Sequence, residues 1–465
     1  MCLSKEACPV SDRSETIWFD SALLATGWAR HVRVSILEGQ IAAIETGAPR
    51  VADESAYGPA LPGLPNLHSH AFQRGMAGLA EVRGPSADSF WTWREVMYRF
   101  LERLGPDEVE AVAALAYAEM LESGFTRVGE FHYLHHDQGG RAYANPAEMA
   151  SRIAAAAETT GLGLTLLPVF YAHSGFGGDD PAPAQARFIN DIDSFANLLE
   201  ASRKALVHLP GAVVGLAPHS LRAATPTELE ALVGLAGDGP IHIHIAEQTK
   251  EVLDCEAWSG QRPVDWLLDH APVDQRWCLV HATHVTPQET LRMAASGAVV
   301  GLCPITEANL GDGLFPALDY LDAGGRFGVG SDSNVLIDAA EELRLLEYGQ
   351  RLARRTRNVM ATQAGRSTGG DIYRAVLSGG AQALGATGGG LSVGSPADIV
   401  SLSAGHSALI GREGDAILDS FVFAARRDVI DGVWRAGRKV VSNGRHHRRD
   451  EIAARYRQAL EKVLA

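Results

Sequence analysis

Residues 64–71 read LPNLHSHA, an apolar run that ends in His68 and His70, two positions apart. On an extended strand, side chains at that spacing leave from the same face, so both imidazoles can reach one ion. An isolated HxH reads better as two hydrogen-bonded histidines at a strand end. Its meaning depends on what the chain places beside it.

Seven further short apolar runs follow: RVGEFHYL (127–134), GLTLLPVFY (163–171), VVGLAPHS (213–220), IHIHIAEQ (241–248), CLVHATH (278–284), AVVGLCPIT (298–306) and RFGVGSDS (326–333). Helical stretches such as 106–123 separate them. Near-continuous apolar strands alternating with helices indicate a parallel sheet covered on its outside, and eight such units close naturally into a barrel. The pattern predicts an α/β fold with a (β/α)₈ TIM-type barrel over residues 62–388. In nearly every run the His, Glu, Asp or Ser stands at the C-terminal end, the rim where barrel enzymes place their chemistry. An open doubly wound sheet is the structural competitor, but no GxGxxG turn follows the first strand.

The two ends of the chain have a different texture. IWFDSALLA (17–25), HVRVSILEG (31–39) and QIAAIE (40–45) read as short strands broken by Gly27, Gly39 and Gly47, and the same pattern returns in ADIVSLSA (397–404) and VIDGVWRAGRKVVSNGR (429–445). These ends are predicted to pair into one small β domain built from 1–61 and 389–446. Gly388 to Gly390 reads as the connection between the domains, and residues 447–465 as a charged terminal helix.

Composition narrows the function classes. In 465 residues, 46% are hydrophobic and 21% charged, the balance of a chain able to bury a large core. A formal net charge of -15 argues against a nucleic-acid partner, which needs clustered Lys and Arg. Cys2, Cys8, Cys255, Cys278 and Cys303 are scattered, odd in number and without a CxxC pair, so neither a disulfide framework nor a zinc knuckle is indicated, and a reducing cytoplasm fits. The first residues lack the apolar stretch of a signal peptide, and no run is long and apolar enough to span a bilayer.

Against that background three further rim positions carry ligand-type groups: His244 with Glu247 in HIHIAEQ, His281 in LVHATH and Asp332 in GVGSDS. Imidazole nitrogen and carboxylate oxygen suit a divalent ion, zinc above all, and His68, His70, His244 and Asp332 form the expected ligand set with a position left for water or substrate. Asp332 would take a proton from a water acidified by the metal. His281 would stabilise the tetrahedral centre formed when the resulting hydroxide attacks an sp² carbon, and Glu247 would protonate the departing nitrogen. His242 reads as a core histidine one layer below His244. His284, His132, His135 and His136 are likewise left out of the metal set.

PNLHSH, HIAE, VHATH and GSDS, in that order, resemble the amidohydrolase superfamily in its mononuclear-metal deaminase branch. The resemblance covers nearly the whole chain and implies a barrel with a β-sandwich drawn from both termini. The two-metal branch carries a lysine at the end of strand four, where this chain has APHS with His219. The loops AFQRGMAGLAE, DSFWTWREVMYRF, PHSLRA, HIAEQTKEVLDCEAWSG and CPITEANLGDGLFPA further resemble the formimidoylglutamate deiminases. That family hydrolyses N-formimino-L-glutamate to N-formyl-L-glutamate and ammonia in histidine degradation. A substrate with two carboxylates suits guanidinium forks, and Arg94 and Arg222 follow strands one and four. By resemblance, Arg222 meets the α-carboxylate side, Arg94 and Tyr133 surround the other polar groups, and Gln73 and His219 hydrogen-bond the ligand or the attacking oxygen. A homodimer is implied in the same way. The rival readings are a deaminase of a purine, pterin or triazine on the same metal centre and a non-catalytic metal-binding barrel.

Overall fold

In the computed structural model the described residues are 15–84, 90–386 and 389–465. Cys2, Cys8, Asp88, Ser89 and Gly388 lie outside them. The N-terminal segment forms β1 (Glu15–Leu24), β2 (Gly27–Leu37), β3 (Gln40–Glu45), β4 (Ser55–Tyr57) and β5 (Ala60–Pro62). The eight apolar runs then supply β6 (Leu64–Ser69), β7 (Phe125–His132), β8 (Gly163–Phe170), β9 (Val213–Val214) with β10 (Ala217–Pro218), β11 (Ile241–Ile245), β12 (Trp277–His281), β13 (Val299–Leu302) and β14 (Arg326–Val329). Four short strands follow, β15 (Ile399–Leu402), β16 (Ile430–Arg435), β17 (Arg438–Ser442) and β18 (Arg445–His446).

The strands of the two ends belong to one nine-stranded sheet in the order β18-β17-β16-β15-β5-β1-β2-β3, with β4 against β1. Antiparallel pairing of β15 with β5 joins the late strands to the early ones. Alternate residues of this sheet bury Ile17, Phe19, Val32, Val34, Ile399 and Trp434 in a core of their own.

The middle of the chain forms two parallel sheets, β10-β8-β7-β6 with β9 against β8, and β11-β12-β13-β14. Every residue of β6, β8, β11, β12 and β13 is buried, as strands covered on both faces must be. The two sheets touch at both margins. Leu216 bridges to Ile241 beyond β10, and Ser69 bridges to Asp332 beyond β14. Leu67, Cys278, Val280, Val299 and Cys303 pack together between the sheets with Ala383 and Leu384, so the space beneath the rim is filled by side chains. Cys255, Cys278 and Cys303 are free and buried, and burial pushes all three thiols up from their ordinary value, so they behave as small apolar groups.

Local sequence explains where the covering helices start. TPTE at 225–228 and TPQE at 286–289 each place a Thr cap before a proline and a Glu that reaches back. Thr225 and Thr286 accept from the amides of Glu228 and Glu289, whose carboxylates return the bond. The longest covering helix, Pro106–Glu122, is nearly all buried because the helix Arg449–Leu464 lies across it. Among the described residues no helix is long and apolar enough to cross a membrane.

Glycine is required where β14 ends. A Cβ on Gly330 would stand 2.7 Å from the carbonyl oxygen of His68 and 2.8 Å from its Cβ. Gly330→Ala should therefore destabilise the fold by about 1–3 kcal/mol in urea unfolding, the usual penalty for forcing atoms into a packed site. Gly234→Ala, in the helix Pro226–Ala236 with nothing within 4 Å, should instead stabilise by about 0.5–1 kcal/mol.

Candidate active site

His68 stands near the end of β6 and His70 just beyond it, His244 and His281 are in β11 and β12, and Asp332 lies three residues past β14. Parallel strands present these ends on one rim. His68 Nε2 and His70 Nε2 are 3.5 and 3.3 Å from the same Asp332 oxygen, Oδ1, and His244 Nε2 is 3.0 Å from His68 Nε2. The ligand atoms of His68, His70 and His244 lie within 4.8 Å of one another, and all three residues are buried.

The protonation pattern asks for a cation there. His70 Nδ1 is 2.8 Å from the carbonyl oxygen of Phe131, a contact only an N–H can make. Burial lowers the basicity of His70, so the ring is neutral and its Nε2 presents a lone pair, aimed at a carboxylate oxygen. Burial likewise takes His68 down to about 3 and His244 well below its ordinary value. The His70 lone pair and the Asp332 oxygen repel unless a positive ion stands between them. Three nitrogens and one carboxylate are a donor set suited to a divalent metal. Asp332 is buried, which favours its neutral form, but the surrounding imidazoles overcome that and hold its carboxyl below the usual range.

His281 is set differently. Its Nδ1 is 3.2 Å from Glu307 Oε1, and its Nε2 faces Glu247 Oε1 at 4.0 Å and Asp332 Oδ2 at 3.8 Å. Burial opposes its charge, yet Glu247, Glu307 and Asp332 together raise it to about 10. Glu247 is itself pushed up to about 8 by burial, so a carboxyl able to give a proton faces the cavity near neutral pH. His281, Cys303 and Glu307 also lie close together. They make a poor second cage: the Cys303 thiol is held neutral, and Glu307 Oε1 already accepts from the Cys303 amide at 2.8 Å.

These groups open into a solvent-connected cavity lined also by Gln73, Arg94, Tyr133, His219 and Arg222. Gln73 Nε2 donates to the Tyr133 hydroxyl at 2.8 Å, while Gln73 Oε1 is buried without a partner. Arg94 lies on the helix Phe90–Leu101 rather than on an open loop, stacked 4.6 Å from the Trp91 ring. Arg222 is 6% exposed, and its buried Nε has no partner. Phe90, Trp93, Tyr171 and Phe188 add an aromatic wall.

The histidines set aside in the sequence stand elsewhere. His242 Nε2 lies 2.7 Å from the Ala383 carbonyl beneath the site, and His135 and His136 lie 2.8 Å from the carbonyls of Val169 and Ile189. His132 is buried with neither ring nitrogen paired. His284 is only part-buried, and its pKa is lowered by burial.

Sequence reasoning missed Glu307 and Asn334. Glu307 stands four residues past Cys303 on a Pro-started helix, a spacing that returns its carboxylate to the strand end. Asn334 follows Asp332 by two residues, which places it in the same rim turn.

Comparison with known proteins identifies the family. The model of the Amidohydrolase family matches residues 60–440, and that of the N-terminal domain of the formimidoylglutamate deiminase HutF matches residues 15–56. The chain belongs to the amidohydrolase family. It is 52% identical over 450 residues to the formimidoylglutamate deiminase of Pseudomonas aeruginosa, covering 96% of this chain and 99% of that one. A crystal structure of an amidohydrolase from Brucella melitensis superposes with a TM-score of 0.94 at 56% identity, covering 97% of this chain and 100% of that one. An adenosine deaminase from Xanthomonas campestris, solved with bound zinc, shares the fold at a TM-score of 0.79 and 23% identity, over 97% and 98% of the two chains.

Chelator-treated protein should gain a higher unfolding midpoint when one equivalent of a divalent ion is added, because only the folded state gathers the ligands. His244→Ala should abolish that gain and His136→Ala should keep it, as read by scanning calorimetry.

Proposed function

We propose that this protein hydrolyses N-formimino-L-glutamate to N-formyl-L-glutamate and ammonia, as a step of histidine degradation. The observation that carries the reading is the convergence of Arg94 and Arg222 with His70, His244, Glu247, His281 and Asp332 on one cavity. A short dianion can there be held by guanidinium groups while its amidine carbon meets the rim. The identity to the Pseudomonas aeruginosa enzyme over nearly all of both chains supports the same substrate.

His68, His70, His244 and Asp332 would hold one divalent ion, and the imidazole and carboxylate donors favour zinc. When bound, that ion supplies a water acidified toward neutral pH and a Lewis acid for the substrate. Asp332 takes the proton from the attacking water as the new C–O bond forms. His281 Nε2–H hydrogen-bonds the tetrahedral centre, and the Glu307 carboxylate accepts from Nδ1–H, which fixes that ring in its doubly protonated form. Glu247 delivers a proton to the departing nitrogen, the C–N bond breaks and ammonia leaves, and the Glu247 carboxylate takes up the hydroxyl proton as the formyl C=O forms. One water is consumed, and the product keeps the second nitrogen as a formamide. Arg222, with the half-buried His219 beside it, is assigned to the α-carboxylate side; Arg94, Tyr133 and Gln73 are assigned to the remaining polar groups.

The same reading treats β6 to β14 as one closed (β/α)₈ barrel, supported by the bridges Leu216–Ile241 and Ser69–Asp332 at both margins of the parallel sheets. It divides the chain into a β-sandwich from 1–61 and 389–446, a catalytic barrel from 62–388 and a helix from 447–465. A cytoplasmic location is assigned from the scattered, unpaired cysteines, and a homodimer from the family resemblance.

Purified protein loaded with one equivalent of zinc should release ammonia from N-formimino-L-glutamate and not from adenosine or guanine; the reverse preference would overturn the substrate assignment. Arg222→Ala should raise KM at least ~10-fold, as loss of a charge-assisted hydrogen bond implies. Glu307→Gln should lower kcat about 10- to 100-fold with KM within threefold, since it disturbs an outer partner of a reacting side chain.

A further inference from the structure

The walls of the rim meet at a seam beyond β14, and the seam is tied by side chains outside the ligand set. The backbones of His68, His70 and Asp332 are directly paired: Asp332 N donates to the His68 carbonyl, and His70 N donates to the Asp332 carbonyl, each at 2.9 Å. Two amides and a hydroxyl, all buried, reinforce that pairing. Asn66 Nδ2 donates to Ser331 Oγ at 2.6 Å, Asn66 Oδ1 accepts from Ser331 N at 3.0 Å, and Ser331 Oγ donates to Asn334 Oδ1 at 2.6 Å. Asn334 Nδ2 then donates to the carbonyls of His70 and Asp332, each at 3.0 Å, and to Ser69 Oγ at 3.1 Å.

One amide therefore grips both segments that carry the ligands. The grip works against a costly backbone. Asp332 and Asn334 have φ of 46° and 55°, the left-handed region that an aspartate or asparagine tolerates but rarely holds unaided. Such a conformation persists only where the surroundings over-determine it. Here it is what turns the Asp332 side chain back over His68 and His70.

We infer that Asn334, braced by Ser331 and Asn66, is a positioning residue for the metal centre: its amide fixes the Asp332 carboxylate in register with the two strand-end imidazoles. This rests on the assignment of those side chains as ligands. The role differs from general stability because the amide's partners are the carbonyls of two ligand residues.

The test is zinc affinity, measured on purified protein by competition with a chelator of known affinity, alongside urea unfolding of the metal-free form. Asn334→Gly keeps the left-handed backbone and removes the amide. Asn334→Asp keeps the acceptor but puts a carboxylate against the two carbonyls. Leu199→Ala, a buried core truncation on the helix Ile192–Leu206, serves as a destabilised control. Both Asn334 variants should bind zinc about 10- to 100-fold more weakly, the range for loss of a partner behind a ligand. Leu199→Ala should lose stability and keep its zinc affinity within twofold. If Asn334→Gly is destabilised but binds zinc as tightly as the parent, the amide is structural only and the inference fails. Should that variant not fold, Ser331→Ala decides between the two roles, because it leaves the Asn334 side chain in place and removes the hydroxyl that donates to Asn334 Oδ1 and accepts from Asn66 Nδ2: a severalfold loss of zinc affinity upholds the inference and an unchanged value overturns it. If neither the parent nor any variant binds zinc at this site, the ligand assignment itself fails, an outcome distinct from a parent that binds and an Asn334→Gly that binds equally well.

Discussion

The structure depends on one juxtaposition: the backbone just past β14 is paired to the end of β6, which sets the Asp332 carboxylate against the imidazoles of His68 and His70. Everything else at the rim takes its position from that meeting. Gly330 must lack a side chain so that β14 can approach His68, and the interior beneath is packed with Leu67, Cys278 and Val280, so the floor does not yield. A buried carboxylate facing neutral imidazoles is costly unless charge of the opposite sign is brought in. The fold therefore places in advance the groups a divalent ion would neutralise, and the entropy of gathering them is spent in folding rather than in binding.

The second organising feature is a division of electrostatic labour. On the His68 side, burial keeps imidazoles neutral and fit to donate lone pairs. On the His281 side, neighbouring carboxyl groups outweigh burial and raise the ring from its ordinary value. Residues of one type thus serve opposite ends within a few ångströms, because their neighbours differ. The strand-end backbone takes part: Ala246, His281 and Ala282 also adopt left-handed conformations, each at the point where a strand turns its last side chains toward the cavity.

The order of the parallel strands was readable because each is a short, nearly unbroken apolar run. The chemistry was readable because His, Glu and Asp are conspicuous at the ends of such runs, as His68, His244, His281 and Asp332 are. Arg94 was placed in a loop between runs, whereas WTWREVMYRF winds into a helix whose aromatic residues pack inward. Asn334 and Glu307 escaped for a physical reason. A neutral amide leaves no periodic trace, and a glutamate in a first helical turn looks like any surface charge until the fold brings Cys303 and His281 beside it. What tertiary contact alone decides, such as which carbonyl an amide will meet, is not written in spacing.

Glu119, on the long helix Pro106–Glu122, joins distant parts of the molecule. One of its oxygens takes Arg74, whose guanidinium also donates to the carbonyls of Asn334 and Val335, and the other takes Arg449 at the start of the helix Arg449–Leu464. Glu119 accepts from both guanidinium groups, one through each oxygen. The turn that carries Asp332 is thus tethered, through two guanidinium groups and one carboxylate, to a helix on the outside of the molecule, so a disturbance at that helix reaches the cavity by way of charge.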